Sequence, residues 1–453
     1  MHDGKDLFEQ ATQHQIQGNY EKAEELYDML LTQNHDNAGL LATVGTMYLQ
    51  WRKPGLAMPY LHQAIEKGRL HQSDVLCNLG LAYKYSGQPK KALEWLKKAS
   101  EVANPSAEAL ANYGGMFVEA DEAQTALKAL DKALKINPEL ALAHWNRSLV
   151  LLAEGDWEQG WSEYEWGFKA GMRVDRAIGG VPVWDGTPGK RVIVYGEQGI
   201  GDEIMFASML PDMLKENEVI LECHKRLKTL FQKSFDVTCY GTREDEMPTW
   251  PATETADARI SIGSLGKFYR PKTEDCPGNP YLTAEPVARG NKFRVGISWT
   301  GGKKAGRIQK RTVPLAWWKS ILANDCEFVS LQYTDCAEEI EAVERAEGIT
   351  IAQPSEIKAE DYYETARIVA SCDLVISVCT SVIHLAGALG VPCWVLTPNA
   401  PAWRYQNRGR MPWYRSVRLY RQPDSRTDAW LPVVERVGLD LSDLLAEKQR
   451  KAA

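Results

Sequence analysis

The first third of the chain repeats one pattern of small and large apolar residues about every 34 positions. Small residues recur at Ala23, Ala57, Ala92, Ala126 and Gly160, with spacings of 34, 35, 34 and 34 residues. Small side chains let two helices approach closely, and larger neighbours fill the space beside them. The pattern therefore predicts a series of packed helix pairs.

A second set of residues has the same period. In the later repeats another small residue lies about twelve positions earlier, and a large apolar residue follows it three positions on: Gly45, Gly80, Gly114 and Ser148, then Tyr48, Tyr83, Phe117 and Leu151. The turn sequences QGNYEKA, SGQPKKA and EGDWEQG also agree, and Pro138 stands at an expected repeat end. This part resembles a tetratricopeptide (TPR) array of about five repeats over residues 4–172. Such arrays form a concave surface, which favours recognition of a peptide or protein over the alternative of a spacer or dimerisation arm.

After the Gly- and Pro-rich segment 179–190, the pattern changes to strands alternating with helices. Strands are expected over 191–197 and 218–224 and at DVTCYG and ARISIGS, with helices over 203–214 and 225–235. A second series begins at 293–302, continues through strands at EFVSLQY and GITIAQ, and supplies its last two strands within 373–396. This alternation is typical of parallel α/β sheets and predicts two Rossmann-like halves, residues 173–287 and 288–453.

In parallel sheets, ligands gather at the carboxyl ends of strands, where three loops carry chemistry. The loop YGEQGIGDE (195–203) ends in Asp202 and Glu203 at a helix start. One interpretation is that a carboxylate there only stabilises the helix through its dipole. Alternatively, Asp202 takes a proton from an attacking hydroxyl.

The other two loops are suited to anions. SWTGGKKAGRIQKR (298–311) concentrates lysine and arginine between glycines, which suits a phosphate or a solvated loop equally. SVCTSVIH (377–384) places Thr380 and Ser381 at a helix N-terminus, with His384 one turn later; this is either a capped helix or a seat for pyrophosphate. Together the loops indicate a transferase that uses a nucleotide-activated donor.

Composition excludes some functions. The net charge of −7 and pI near 5.8 argue against a nucleic-acid-binding chain, although the segment 403–422 mixes arginines with aromatic residues. Nine cysteines without a CxxC pair predict reduced thiols in a cytoplasmic protein. The N-terminus has no apolar core typical of a signal peptide, and no membrane span is expected.

These residues resemble TPR-bearing protein O-glycosyltransferases of the flagellin type, whose catalytic half is heptosyltransferase-like. The matching segments are PVWDG (182–186), EQGIGDEIMF (197–206), DLVISVCTSVIHLAGALGVPCWVL (373–396), PNAPAWRY (398–405) and PWYRSVRLYRQ (412–422). The resemblance implies an α + α/β chain, with a TPR α-solenoid over 1–172 followed by a GT-B glycosyltransferase. Residues 173–287 would be its acceptor side and 288–453 its nucleotide-sugar side.

The resemblance also implies a site. Asp202 would be the base of an inverting transfer without metal or other cofactor, and a nucleotide-sugar would be the donor. The implied donor-binding residues are Lys310, Arg311, Thr380, Ser381, Val382 and His384. Further possible site residues are Gly199, Gly201, Glu203, Trp299, Gly301, Gly302, Cys379, Trp403 and Arg404.

Cys379 departs from the family, which usually has aspartate before the Thr-Ser pair. The change would suit a different donor or weaken activity, and no partner base in the sequence supports a cysteine nucleophile. The leading hypothesis is sugar transfer to Ser or Thr of a protein held by the TPR array. The alternatives are a lipopolysaccharide or polysaccharide acceptor, and a TPR adaptor whose transferase half is weakened. The sequence does not determine the oligomeric state.

Overall fold

The computed structural model describes residues 4–68, 72–118, 122–176, 178–252, 254–301, 311–358, 360–407 and 409–452. The chain divides into two compact units, Met1–Val150 and Leu151–Ala453. The predicted boundaries after residues 172 and 287 stay predictions.

The first unit is built from helix pairs. Its helices are α1 (Gly4–Ile16), α2 (Tyr20–Gln33), α3 (Ala38–Gln50), α4 (Pro54–Gly68), α5 (Ser73–Tyr85), α6 (Pro89–Glu101), α7 (Ala107–Gly115), α8 (Ala123–Ile136) and α9 (Ala141–Glu154), of which α9 continues into the second unit. Ala23, Ala57, Ala92 and Ala126 are fully buried, as the pattern predicted. A Cβ atom added at Gly80 would lie 2.7 Å from Cγ of Leu96, so this close helix contact requires glycine. The predicted helical solenoid is confirmed.

The second unit begins with the last turn of α9, then α10 (Trp157–Tyr164) and α11 (Trp166–Lys169). Trp161 is buried and packs edge-to-face on Trp403, with ring centroids 5.5 Å apart. It also contacts Phe206, while Trp157 stacks on Trp413. The second helix of the fifth repeat is therefore anchored on the α/β part by aromatic rings.

A four-stranded parallel sheet follows. It contains β1 (Arg191–Tyr195), β2 (Glu218–Glu222), β3 (Thr238–Tyr240) and β4 (Ala258–Ser261) in the order β3-β2-β1-β4, with α12 (Ile200–Phe206), α13 (Leu210–Met213), α14 (Lys228–Phe235) and α15 (Gly266–Tyr269). The single helix expected over 203–214 was wrong, because a 3₁₀ turn at Ala207–Met209 separates α12 from α13. Pro211 lies at the start of α13, and proline has no N–H to continue a helix from the preceding turn.

A six-stranded parallel sheet forms the rest of the unit. Its strands are β5 (Arg294–Ser298), β6 (Glu327–Ser330), β7 (Ile351–Ala352), β8 (Leu374–Val378), β9 (Cys393–Thr397) and β10 (Val417–Arg421), with α16 (Lys319–Leu322), α17 (Ala337–Glu347), α18 (Tyr362–Ala370), α19 (Ser381–Leu389) and α20 (Leu431–Ala452). The order is β10-β9-β8-β5-β6-β7. The expectation that β9 is the last strand was wrong. β10 pairs with β9 alone, and this edge position tolerates the exposed Arg418 that hides the strand pattern.

The strand orders create two places where a ligand can bind. In the six-stranded sheet, β5 and β8 are neighbours although the chain leaves β5 in one direction and approaches β8 from the other. In the four-stranded sheet, β1 and β4 stand in the same relation. Loops that leave such neighbouring strands diverge and open a crevice at the carboxyl ends. All strand pairs of the two sheets are parallel, which confirms the predicted parallel α/β architecture.

Among the described helices, none combines the length and the apolar character that crossing a bilayer requires.

Candidate functional site

A cavity of about 410 Å³ lies between the two sheets of the second unit. Its walls come from segments that follow β1, β2 and β3 on one side and β5 to β9 on the other. Ten of the predicted site residues line it: Gly199, Gly201, Asp202, Arg311, Cys379, Thr380, Ser381, Val382, His384 and Arg404. Loops far apart in sequence therefore meet at one cleft.

Asp202 lies in the first turn of α12 and spans the cleft. One carboxylate oxygen, Oδ2, accepts the N–H of Gly199 at 3.2 Å. The other, Oδ1, pairs with the guanidinium of Arg404, which lies in the 3₁₀ turn after β9. The two side chains are only 18% and 14% exposed, so this ion pair is largely screened from water. The candidate base is held by a cation from the opposite wall.

The N-terminus of α19 faces the cleft without a side-chain cap. Thr380 has extended backbone at the N-cap position, but its hydroxyl accepts no N–H from the helix and lies 3.2 Å from Oγ of Ser377 instead. The Ser381 hydroxyl lies 3.0 Å from the hydroxyl of Tyr362. Neither hydroxyl caps the helix. The backbone N–H groups at the N-terminus of α19 can therefore still bind an anion.

The two walls touch beside His384. A Cβ atom added at Gly201 would lie 3.1 Å from Cδ2 of His384 and 3.3 Å from Cα of Ser381, so a larger residue at this position would force the walls apart. His384 is 3% exposed, and its Nδ1 lies 3.2 Å from the Tyr414 hydroxyl. Asp202 and His384 thus line one cavity.

The pKa of His384 is lowered well below its usual value, first because burial disfavours the charged ring and then because Arg404 and Arg311 are nearby. Below pH 6.5 the unfolded chain binds a proton that the folded protein excludes, so stability should fall as the pH falls. The expected slope from this residue is up to about 1.4 kcal/mol per pH unit. Urea denaturation between pH 5 and 7.5 measures it against His384→Gln, in which the slope should be smaller. Equal slopes in both proteins would contradict a neutral, buried His384.

Cationic groups surround the cavity. Arg311 and Arg404 lie on the six-stranded side, and Arg226 and Arg243 on the other. Gly301 lies behind Arg311; a Cβ atom there would be 3.1 Å from Cβ of Arg311, so glycine lets the two backbones pass closely. Lys310 and Gly302 lie outside the described residues. The charge of the lining suits an anionic ligand.

Three possible site residues are placed behind the lining. Glu203 is fully buried, where Oε2 accepts the N–H of His224 at 2.9 Å and Oε1 lies 2.6 Å from Nε of Arg243. Burial raises the pKa of Glu203 to about 8, although Arg243 opposes the shift. Trp299 is a core residue whose indole N–H donates to the carboxylate of Glu339. Trp403 packs against Trp161 of α10. These residues support the walls and do not line the cavity.

Cys379 lines the cavity but is not exposed as a reactive thiol would be. It is 3% exposed, and its Sγ makes a weak 3.8 Å contact with the carbonyl of Leu396. Burial raises the pKa of the thiol, against the nearby positive charge of Arg311. The thiolate is the nucleophilic form, so the environment disfavours a cysteine nucleophile.

Several lining residues were missed from the sequence. His224 follows β2 and Arg243 follows β3, while Tyr405 comes shortly after β9. The first two obey the same strand-end rule that identified Asp202, and applying it to every strand would have found them. His224 is itself paired with Glu244 at 3.3 Å, and burial lowers its pKa.

Comparisons with known proteins agree with the repeats. The tetratricopeptide repeat family model matches residues 73–105, which cover α5 and α6. Protein FlbA of Caulobacter vibrioides is 31% identical over 405 residues, covering 82% of this chain and 66% of FlbA. The chain thus spans just under two thirds of the length of that relative. The family match and the helix pairs together show a TPR region.

Solved TPR structures resemble a smaller part of the chain. YrrB, described as a TPR protein with an unusual peptide-binding site, is 20% identical with a TM-score of 0.30, and the match covers 37% of this chain and 86% of YrrB. MamA is 18% identical with a TM-score of 0.31, covering 35% of this chain and 92% of MamA. PilF of Pseudomonas aeruginosa is 17% identical with a TM-score of 0.34, covering 38% of this chain and 78% of PilF. Scores this low support no inference about the chain.

Proposed function

We propose that the second unit is a glycosyltransferase of the GT-B type, which transfers a sugar with inversion from a nucleotide-sugar to an acceptor hydroxyl. One observation carries the proposal: a carboxylate, two arginines and an uncapped helix N-terminus line the same cavity. A donor diphosphate needs the positive wall, and an acceptor hydroxyl needs a base on the opposite one.

The reaction requires no covalent enzyme intermediate. The acceptor oxygen attacks the anomeric carbon from the face opposite the diphosphate, and Asp202 takes the hydroxyl proton as the new C–O bond forms. The bond from the anomeric carbon to the phosphate oxygen breaks, and its electron pair leaves with the nucleoside diphosphate. Arg311, Arg404 and the N–H groups at Thr380–Ser381 stabilise the charge that grows there.

The Asp202–Arg404 ion pair implies that the donor binds before Asp202 can act as the base. Before the donor binds, Arg404 neutralises Asp202 and holds its Oδ1. A diphosphate is a stronger partner for a guanidinium than a single carboxylate, because it offers more negative oxygens. Donor binding would draw Arg404 to the phosphates and leave Asp202 free to accept a proton. The base would then become active only when the donor is present.

The TPR region would bring a protein acceptor to the cleft, with Ser or Thr as the acceptor residue, as in the flagellin-type enzymes that the sequence resembles. No disulfide joins the cysteines in the described part of the chain, which supports a reducing compartment such as the cytoplasm. A TPR adaptor with an inactive cleft is the second candidate, and the engagement of Asp202 by Arg404 is the observation that favours it.

A nucleotide screen by thermal unfolding tests the proposal. ADP, UDP, GDP and CMP should be compared, and one of them is expected to raise the melting temperature by several degrees. A ligand at 100 times its Kd stabilises by about 2.7 kcal/mol. The shift should disappear in Arg311→Ala and Arg404→Ala.

Arg418→Ala is the matched control, since Arg418 pairs with Asp440 on the edge strand β10 and does not line the cavity. It should keep the shift. The proposal fails if no nucleotide stabilises the protein, or if the cavity variants respond as the control does.

A further inference from the structure

Two glutamines beside the cleft have a backbone conformation that favours glycine. Gln198 has a φ of +61° and lies between β1 and α12, while Gln406 has a φ of +56° and a ψ of 157° at the end of the 3₁₀ turn Trp403–Tyr405. Residues other than glycine rarely adopt positive φ, and they keep it only where the surrounding structure enforces it. The two glutamines lie close in sequence to Asp202 and Arg404, so the strained backbone is found at the candidate base and at its partner.

The side-chain amide of Gln198 holds the loop that carries Asp202. Its Nε2 donates a hydrogen bond to the hydroxyl of Tyr164 in α10. The N–H of the next residue, Gly199, donates to Oδ2 of Asp202. Arg243 fixes the same turn, since its Nη1 donates to the carbonyl of Gln198 at 2.7 Å. A shift of Gln198 would therefore move the carboxylate of Asp202.

The side-chain amide of Gln406 holds the turn on the opposite wall in the same way. Gln406 is buried, and its Nε2 donates to the carbonyl of Leu152 at 2.7 Å. Leu152 lies in the last turn of α9, where carbonyl groups have no intrahelical N–H to bind and carry partial negative charge. The adjacent Asn407 donates from Nδ2 to the carboxylate of Glu154 at 2.6 Å. The turn that carries Arg404 is thus fastened to the end of α9.

The two acceptor groups belong to one well-packed part of the second unit. Leu152 and Tyr164 are both buried. The indole N–H of Trp157 donates to the carbonyl of Leu152 at 3.0 Å, and the Trp157 ring packs edge-to-face on Trp161 with centroids 5.9 Å apart. Trp161 in turn packs edge-to-face on Tyr164. The loops on the two walls of the cleft are therefore held against the same group of packed side chains.

We propose that Gln198 and Gln406 are positioning residues, which hold the Asp202 loop and the Arg404 turn at the spacing that sugar transfer requires. The inference rests on the proposed function for the reaction that the two residues serve. In that reaction Arg404 leaves Asp202 for the donor phosphates. Because the two amides fix the backbone on both walls, only the Arg404 side chain changes partner and the base stays in place. Misplacing a catalytic group by about 1 Å can cost about a hundredfold in rate.

Chemical modification of arginine in the full chain tests the positioning without a donor. Phenylglyoxal reacts with accessible guanidinium groups, and peptide mapping by mass spectrometry gives the rate at each arginine. Arg404 is 14% exposed in its pair with Asp202 and should react slowly. Gln198→Met and Gln406→Met keep the length of the side chain and remove the N–H donor. Each should raise the rate at Arg404 about tenfold, the effect of one lost hydrogen bond.

Two further variants show whether each glutamine acts through its partner. Tyr164→Phe removes the acceptor for Gln198 and should match Gln198→Met. The two changes combined should have no larger effect than either alone, because both remove the same hydrogen bond. Gln406→Gly also removes the amide but suits the positive φ, so it serves as the test if Gln406→Met does not fold.

Gln422→Met is the matched control. Gln422 is also a buried glutamine, and its amide donates to the backbone carbonyl of Arg426 at 2.8 Å, but it does not line the cavity. This variant should leave the rate at Arg404 as in wild type. The inference is overturned if the variants at Gln198 and Gln406 leave that rate unchanged, or if Gln422→Met raises it equally.

Transfer and nucleotide binding separate this inference from the proposed function. The variants at Gln198 and Gln406 should reduce transfer to a co-expressed acceptor about 10–100-fold. The nucleotide found among ADP, UDP, GDP and CMP should still raise their melting temperature as it does in wild type. If the variants expose Arg404 but no nucleotide binds, both anchoring contacts are confirmed and the proposed function fails. If nucleotide binds while the variants change neither Arg404 nor transfer, the proposed function stands and this inference is wrong.

Discussion

Asp202→Asn should reduce sugar transfer by about 10²–10⁴-fold while the protein still binds its donor. Loss of a general base accounts for a change of this size. Asparagine has nearly the same shape as aspartate and can keep the 3.2 Å bond from the Gly199 N–H, so α12 should stay intact. The variant loses the charge that pairs with Arg404, which frees Arg404 for the donor phosphates. Donor affinity should therefore be unchanged or higher.

The measurement combines two readouts. Intact mass spectrometry of a co-expressed acceptor follows transfer, and thermal unfolding with the nucleotide identified by the screen follows donor binding. Asp424→Asn is the matched control, because Asp424 is a partly exposed residue paired with Arg426 in the loop after β10 and does not line the cavity. Full transfer by Asp202→Asn would remove Asp202 as the base, and loss of both transfer and nucleotide binding would show a damaged cleft.

Trp161→Ala should destabilise the second unit by about 3–5 kcal/mol, the usual cost of truncating a buried aromatic residue. Trp161 is 1% exposed, and its indole N–H donates to the carbonyl of Arg270 at 2.7 Å. Its ring also lies against Gly266, where an added Cβ would be 2.5 Å away, so neighbouring backbone is fitted to the ring. The substitution leaves a large cavity and an unpaired carbonyl between α10 and both sheets.

Denaturation in urea, followed by tryptophan fluorescence and far-UV circular dichroism, measures the effect. Trp161→Phe should lose less, because it keeps part of the ring packing. Trp51→Ala is the control in the first unit, where Trp51 stacks on Tyr20 and Tyr48. It should affect the solenoid and leave nucleotide binding in place. A Trp161→Ala protein as stable as wild type would show that the aromatic contacts do not anchor α10.

Much of the fold follows from local pattern. The 34-residue repeat of small and large apolar residues predicts stacked helix pairs. The small residues Ala23 and Gly80 therefore predict buried helix contacts from the sequence alone. Continuous apolar runs such as VIV in β1 likewise predict buried parallel strands. The edge strand β10 was not predicted, because part of it faces solvent and arginines interrupt its apolar pattern.

The strand-end rule also brought nine of the predicted residues to one cavity, because all strands of a parallel sheet end at the same edge. The tenth, Arg404, came from the family resemblance. The rule could not say which side chain at a strand end points into the cleft. Asp202 and Glu203 are adjacent in sequence, yet helical geometry turns Asp202 towards Arg404 and Glu203 towards Arg243 in the interior.

The sequence by itself determined the helix-pair repeat, the parallel strands and the loops that carry charge, because these depend on residue order and periodicity. Only the tertiary structure decided that Asp202 meets Arg404 across 202 residues and that His384 is buried, which lowers its pKa well below the usual value. Ion pairing and pKa depend on distance and on exclusion of water. Both are set by how distant segments pack, which no local pattern records.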